Sequence, residues 1–266
     1  MMRKLFLLAL ATFAVIQMQA QDRMFARTYQ SNILPKGSFD IELWHTSRIG
    51  HEGQYFHAMD QRLEYEMGLG KNVQTAVYLN RFQKSVSDSA GAISQATEIG
   101  ISNEWKWKVS RSTSPVGIAL YGEWGLKGDE IELETKFIAD RSFGKNVVAF
   151  NAVYELEFEA EREHGKTEFE LEETPLEFDL SFMHNFTPEF GLGVEIRDHN
   201  ELVKGAWEHS VLFGGPAATF RGQRWFAIVN YLPQLANIHK SAAAPKNKVL
   251  DEHERAEARL LVGFSF

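Results

Sequence analysis

The 266-residue chain contains no cysteine. No disulfide and no thiolate metal site can hold it together, and no lipid can be attached through a cysteine, although an exported protein could use any of these. Beyond residue 20 the chain also lacks an apolar run near the ~20 residues a spanning helix needs, which excludes a helical membrane protein. There is no glycine-rich phosphate loop, no H-E-x-x-H pair and no calcium loop. Positive charge is in short supply as well: 28 Lys and Arg stand against 36 Asp and Glu, a formal charge of −8. Nucleic acid is therefore excluded as an expected partner.

Residues 1–20 read as a secretory signal peptide. Arg3 and Lys4 precede an apolar stretch from Leu5 to Ile16, too short to span a bilayer, and Ala20 supplies a small residue for cleavage. Residues 21–266 are then the mature chain and a single domain. Arg3 and Lys4 are the leader's only charged residues, so the mature chain is two charge units more acidic than the precursor.

That chain is organised by a period of two. Ile131, Leu133, Thr135 and Phe137 alternate with Glu130, Glu132, Glu134 and Lys136. Val148, Phe150, Ala152, Tyr154, Leu156 and Phe158 share one face against Asn151, Glu155, Glu157 and Glu159. Successive side chains of a strand point to opposite sides of the sheet, so each segment has one apolar and one polar face. The pattern predicts strands at 38–48, 60–69, 72–83, 93–109, 115–125, 129–141, 145–160, 166–185, 189–199, 206–220, 223–233 and 256–266, twelve in all. Tight turns at Gly70-Lys71-Asn72, Gly144-Lys145-Asn146, Thr187-Pro188 and Arg221-Gly222 alternate with longer loops around 49–59, 84–92, 199–205 and 234–255, the short link at Leu126 to Gly128 excepted. A soluble sandwich also alternates, but densely charged faces on strands of roughly ten residues suit a closed barrel crossing a bilayer. The fold class expected is all-β: a transmembrane, antiparallel, up-and-down β-barrel of about twelve strands.

Trp105, Trp107, Trp124, Trp207 and Trp225 fall near strand ends, on the faces of Ile101, Leu120, Val211 and Val229, where an aromatic girdle belongs. Trp44 breaks the rule by sharing its face with Asp40 and Glu42. The last strand sets Ala258, Leu260, Val262, Phe264 and Phe266 on one face and closes on the terminal Phe. It resembles the C-terminal insertion signal of bacterial outer-membrane β-barrel proteins. The resemblance implies residence in the outer membrane of a Gram-negative bacterium, contact with its lipid, and assembly by the barrel-insertion machinery through Phe264 and Phe266. Porin-like channels, autotransporter pores and a phospholipase occur among twelve-stranded members, so it implies no single activity.

Acidic residues crowd three consecutive predicted strands: Glu130, Glu132 and Glu134; Glu155, Glu157 and Glu159; Glu168, Glu170 and Glu172. On the polar face they are candidate pore-lining residues near the long-loop end, with Arg62 and Arg197 among the bases available to offset them. The parity of pairing around residues 162–166 sets Glu opposite Glu, a destabilising arrangement unless bases, water or cations intervene. An acidic lining of this kind favours small hydrophilic solutes with a weak preference for cations. A solvated charged collar is the competing reading. No plug domain is evident; the last loop reads as a surface loop, with inward folding as the alternative.

The nine histidines form no ligand pattern: His51 with His57 and His239 with His253 lack metal spacing. His45, His184 and His209 sit on apolar faces, where a barrel lipid hydrolase would keep its base. Ser210 follows His209 and points to the other face, so the two cannot pair. No catalytic, cofactor or metal residue is assigned. A channel without cofactor is the expected function; a lipid hydrolase and a closed, surface-binding barrel are the alternatives.

Overall fold

The computed structural model describes residues 23–163, 166–203, 205–242 and 244–266, and their side chains except those of 161–168. The signal peptide expected over residues 1–20 lies outside them. The strands are β1 (Phe39–Ile49), β2 (Phe56–Gly70), β3 (Val73–Ser87), β4 (Ile93–Lys108), β5 (Gly117–Lys127), β6 (Glu130–Phe143), β7 (Asn146–Glu163), β8 (Lys166–Glu173), β9 (Leu176–Asn185), β10 (Phe190–Val203), β11 (Ala206–Arg221), β12 (Trp225–His239) and β13 (Ala256–Ser265). Each pairs antiparallel with its neighbours, and β13 pairs with β1 from Ser265 opposite Asp40 to Ala256 opposite Ile49, so the sheet closes. Closure leaves no edge strand, which lets a sheet sit in lipid without orphaned backbone groups.

The segment 166–185, expected as one strand, is two. Pro175 carries no N–H for the ladder, so β8 stops at Glu173 and β9 resumes at Leu176. Both lie along β7, β8 on its upper part and β9 on its lower part, so they share one of twelve positions in the wall. Several strands run beyond their expected ends: β2 begins at Phe56, and β12 continues to His239. The loop expected at 199–205 shrinks because β10 and β11 pair as far as Val203 and Ala206.

Two of the two-residue hairpins, Lys71–Asn72 and Gly144–Lys145, lie at one end. Lys71 and Asn72 both take positive φ (52° and 62°), as a two-residue turn matching the strand twist requires. Segment 109–116 also lies at this end and is longer than expected, while the two-residue link Gly128–Asp129 lies at the loop end. The last loop, residues 240–255, is the longest connection among the described residues.

Alternation decides the two faces. Outward, Leu63, Tyr65, Val77, Leu79, Ile101, Leu120, Leu133, Leu180, Val194, Val229 and Leu260 are exposed around the wall. A contiguous apolar belt of this extent is foreign to a soluble monomer, which keeps exposed apolar patches to a few hundred Å². Trp105, Trp107, Trp124, Trp207 and Trp225 are exposed on the belt side, and Phe266 stacks on Phe39 at 5.0 Å where the sheet closes. Trp44 points inward and is buried.

Val211 and His209 depart from expectation. Uninterrupted alternation puts them on the face of Trp207, but the β10–β11 register shifts so that Glu201 pairs with His209 and Leu202 with Trp207. Glu208 is the extra residue of a β-bulge, and a one-residue shift turns the following side chains to the other face. Trp207 therefore faces outward, while His209 and Val211 are fully buried inside.

Candidate functional site

The barrel interior is divided between a chain segment and a cavity. Residues 23–34, ahead of β1, do not continue along the wall; they enter the lumen and turn within it. Their contacts circle the wall: Arg23 Nη1 reaches Glu42 on β1 (3.2 Å), the Leu34 N–H donates to Gln74 on β3 (2.9 Å), Ser31 N–H to Asp140 on β6 (2.7 Å), Tyr29 N–H to Asn151 on β7 (2.7 Å) and Ala26 N–H to Glu195 on β10 (2.9 Å). A segment without strand partners must satisfy its backbone through side chains, and the inward Gln, Asp, Asn and Glu supply those acceptors.

Apolar contacts add to this. Phe25 and Met24 pack on Val147, Ala149, Met183 and Ala217, and Tyr29 packs with Trp44, Tyr121, Ile138 and Leu261. Trp44, unexplained by the girdle pattern, belongs here: its Nε1–H donates to Glu64 at 2.9 Å, and the Arg23 guanidinium lies 4.3 Å from its ring centre. Two glycines make room for the plug. A Cβ on Gly68 would stand 2.1 Å from the Pro35 carbonyl oxygen, and one on Gly117 would stand 2.1 Å from Ser31 Oγ.

Above the plug, toward the long loops, lies a cavity of about 900 Å³. Arg27, at the tip of the plug, contributes to its floor. Its guanidinium spans Glu177 on β9 (2.8 Å), Glu257 on β13 (3.3 Å) and Asp179 on β9 (3.6 Å). Arg197 joins the same Glu177 and lies 3.7 Å from both Glu254 and Glu257, while Arg259 lies 3.5 Å from Glu257 and donates to Thr46 Oγ1 at 2.9 Å. Three guanidinium groups and four carboxylates thus form one knot tying plug to wall.

The expected pore-lining residues separate into two groups. Glu130, Glu132, Glu134, Glu155, Glu157, Arg62 and Arg197 line the cavity. Glu159, Glu170 and Glu172 are exposed and do not line it, and the side chain of Glu168 lies outside the described residues. For Glu172 a bulge is the cause: Glu157 pairs with Glu173 and Phe158 with Leu171, so Glu172 is skipped and Glu173 takes the lining position, while Glu159 and Glu170 pair with each other one step further toward the strand tops. Glu faces Glu at 130 and 159, 132 and 157, and 134 and 155 between β6 and β7, and at 157 and 173 between β7 and β8.

Compensation is partial. Lys136 pairs with Glu134 at 2.9 Å, Lys127 with Glu130, and Arg62 approaches Glu123 at 3.9 Å. Among the described residues, no basic side chain lies within ion-pair distance of Glu132, Glu155, Glu157 or Glu173.

The last loop folds over the mouth. Ala244 and Val249 pack on Val211, Phe213 and Leu232, Gln234 Nε2 donates to the carbonyls of Val249 and Glu254, and Asp251 to Glu254 line the cavity. The inward alternative for this loop therefore holds for its second half. Burial lowers the pKa of the His51 imidazole, which stacks on Phe56 at the rim. His184, one candidate base for lipid hydrolysis, has Asn146 as its partner at 2.8 Å.

Neither the plug nor the role of Glu173 was readable from periodicity. Residues 23–34 show no alternation and carry no linker signal; the hint available was that Arg23 and Arg27 precede strands whose inward faces are acidic.

A closed antiparallel barrel with an outward apolar belt, aromatic girdles and a polar interior defines the chain as an outer-membrane-type β-barrel protein. The barrel is similar to an outer membrane channel from Pseudomonas putida F1 (TM-score 0.60, 10% identity, 89% of this chain and 98% of that one). It is also similar to the NanC porin (0.53, 9%, 84% and 98%) and to the translocator domain of the autotransporter NalP from Neisseria meningitidis (0.55, 12%, 85% and 87%). At these identities the likeness is one of fold. Residues 17–266 match the model of a family of unknown function, DUF6662, and the chain belongs to that family. No curated protein matches its sequence significantly.

Proposed function

We propose that this protein is a channel of the Gram-negative outer membrane that passes small hydrophilic solutes, with a weak preference for cations and with its own residues 23–34 as plug. The carrying observation is the vestibule of about 900 Å³, lined by charge and floored by a re-entrant segment rather than filled by wall side chains. A barrel built only for support can fill its lumen with packed side chains; an interior of polar groups that hold a separable segment suits controlled passage. The fold shared with a channel and a porin agrees with this reading. In it the long loops face outward from the cell, the tight turns face the periplasm, and Phe264 and Phe266 serve insertion.

The cation preference rests on Glu132, Glu155, Glu157 and Glu173, which have no basic side chain at ion-pair distance among the described residues. Conductance in planar bilayers tests both parts. The wild type should give small or infrequent openings. The barrel deleted for residues 23–34 should give larger, long-lived ones, with a reversal potential under a salt gradient showing cation preference. A deletion variant that folds and inserts yet stays silent would sink the channel reading and favour a closed barrel that acts through loop 240–255.

A further inference from the structure

Two consecutive strands and the last loop converge at the mouth of the vestibule. His199 and Glu201 come from β10, His209 from β11 and His253 from the last loop. The Nε2 atoms of His209 and His253 lie 2.6 Å apart, and Glu201 Oε2 lies 3.3 Å from the first and 3.5 Å from the second. Three potential ligand atoms thus face one another across a common point. A ring nitrogen of His199 completes a group with Glu201 and His253 whose atoms all lie within 4.8 Å.

We propose that His209, His253 and Glu201, with His199 as a fourth ligand, form a binding site for a divalent transition-metal ion of the zinc class. Ligands at roughly 2.0–2.1 Å from a tetrahedral zinc ion stand a little over 3 Å apart, the spacing already present between Glu201 and both imidazoles. The closer pair of nitrogens must share one proton, or spread slightly around a cation that replaces it. Two or three imidazoles with one carboxylate suit zinc, nickel or copper, whereas calcium and magnesium take all-oxygen sets.

Independent geometry points the same way. His209 is fully buried, and its Nδ1 has no hydrogen-bond partner but faces the Glu252 carboxylate at 3.4 Å. His199 Nδ1 lies between the Glu177 carboxylate at 3.3 Å and the Arg197 guanidinium at 3.2 Å, so the orienting carboxylate is clearest at His209. Metal-binding imidazoles are commonly oriented by a carboxylate on the nitrogen that does not bind, which leaves the other lone pair for the metal. Bound there, the ion staples loop 240–255 to β10 and β11 across the mouth. The site does not depend on whether the lumen conducts.

The test uses the full mature chain, folded in detergent without a polyhistidine tag and freed of metal by a chelator. Co²⁺ titration should give the intense visible bands of tetrahedral coordination, saturating at one ion per chain and displaced by Zn²⁺. His253→Ala and Glu201→Gln should weaken binding by more than the roughly 10–100-fold that loss of an orienting partner costs, and Glu252→Gln should fall within that range. His45→Ala, outside this cluster, should leave binding unchanged.

A second readout is independent of spectroscopy. Zn²⁺ should slow tryptic cleavage at the exposed Lys246 in the wild type and not in His253→Ala. Because His253 lies in a loop, that variant is expected to retain the barrel, which its heat-modifiable migration in gels checks. No saturable Co²⁺ binding, or binding and protection unaltered in both His253→Ala and Glu201→Gln, would overturn the proposal.

Discussion

Two charged regions of one lumen are built on opposite plans. At the floor, Arg27, Arg197 and Arg259 interlock with Glu177, Asp179 and Glu257, so each charge has partners of the other sign. On the wall of β6, β7 and β8, Glu132, Glu155, Glu157 and Glu173 approach one another with no base at ion-pair distance among the described residues. Side chains are matched in charge where the chain must hold a segment in place, and left unmatched where the lumen is open to water. The cost of facing carboxylates, roughly 0.2–1 kcal/mol for a cross-strand pair, is small beside that of a buried charge without a partner.

The largest way to break the comparison is to remove the plug's share of the knot. Arg27→Ala strands Glu177, Asp179 and Glu257 with only Arg197 and Arg259, and breaking a buried pair costs about 3–5 kcal/mol. The plug should loosen while the wall stays intact. Since the chain has no cysteine, a single Thr28→Cys reports this cleanly: Thr28 is buried, and its thiol should react more than tenfold faster when Arg27 is also Ala. Equal labelling rates would mean that the knot does not hold the plug.

A change on the wall should act on selectivity instead. Glu132, Glu155 and Glu157 replaced together by Gln, in the barrel lacking residues 23–34, should move the reversal potential toward zero. The thermal midpoint should hold or rise slightly, because facing like charges are relieved. A large loss of stability with unchanged selectivity would reverse the roles assigned to the two regions.

The sequence made the wall legible and left the lumen dark. Period two gave the closed barrel and its girdle because an alternating strand encodes its own faces. It failed where one residue changes the parity: the bulge at Glu208 turned His209 and Val211 inward, and the bulge at Glu172 passed the lining role to Glu173. The break at Pro175 comes from a missing N–H, a backbone property that a side-chain period of two does not register. The plug left no periodic trace, because residues 23–34 take their shape from acceptors on β1, β3, β6, β7 and β10 rather than from one another. Likewise His199, Glu201, His209 and His253 meet only once three segments are placed side by side, which no spacing along the chain displays.

The two regions touch at Lys136, and the smallest predicted effect lies there. Its Nζ sits 2.9 Å from Glu134 on the acidic wall and 4.5 Å from the ring centre of Tyr29 in the plug. A desolvated cation over an aromatic face is worth up to about 2 kcal/mol. Lys136→Gln should therefore weaken the plug less than Arg27→Ala does, seen as a severalfold faster reaction of the Thr28→Cys probe. It also leaves Glu134 without its base, which extends the unmatched wall downward. In the barrel without residues 23–34, the same substitution should raise cation preference modestly, opposite in sign to the triple Glu→Gln change. A shift in labelling without one in reversal potential would confine Lys136 to the plug and make the wall's selectivity independent of its lower edge.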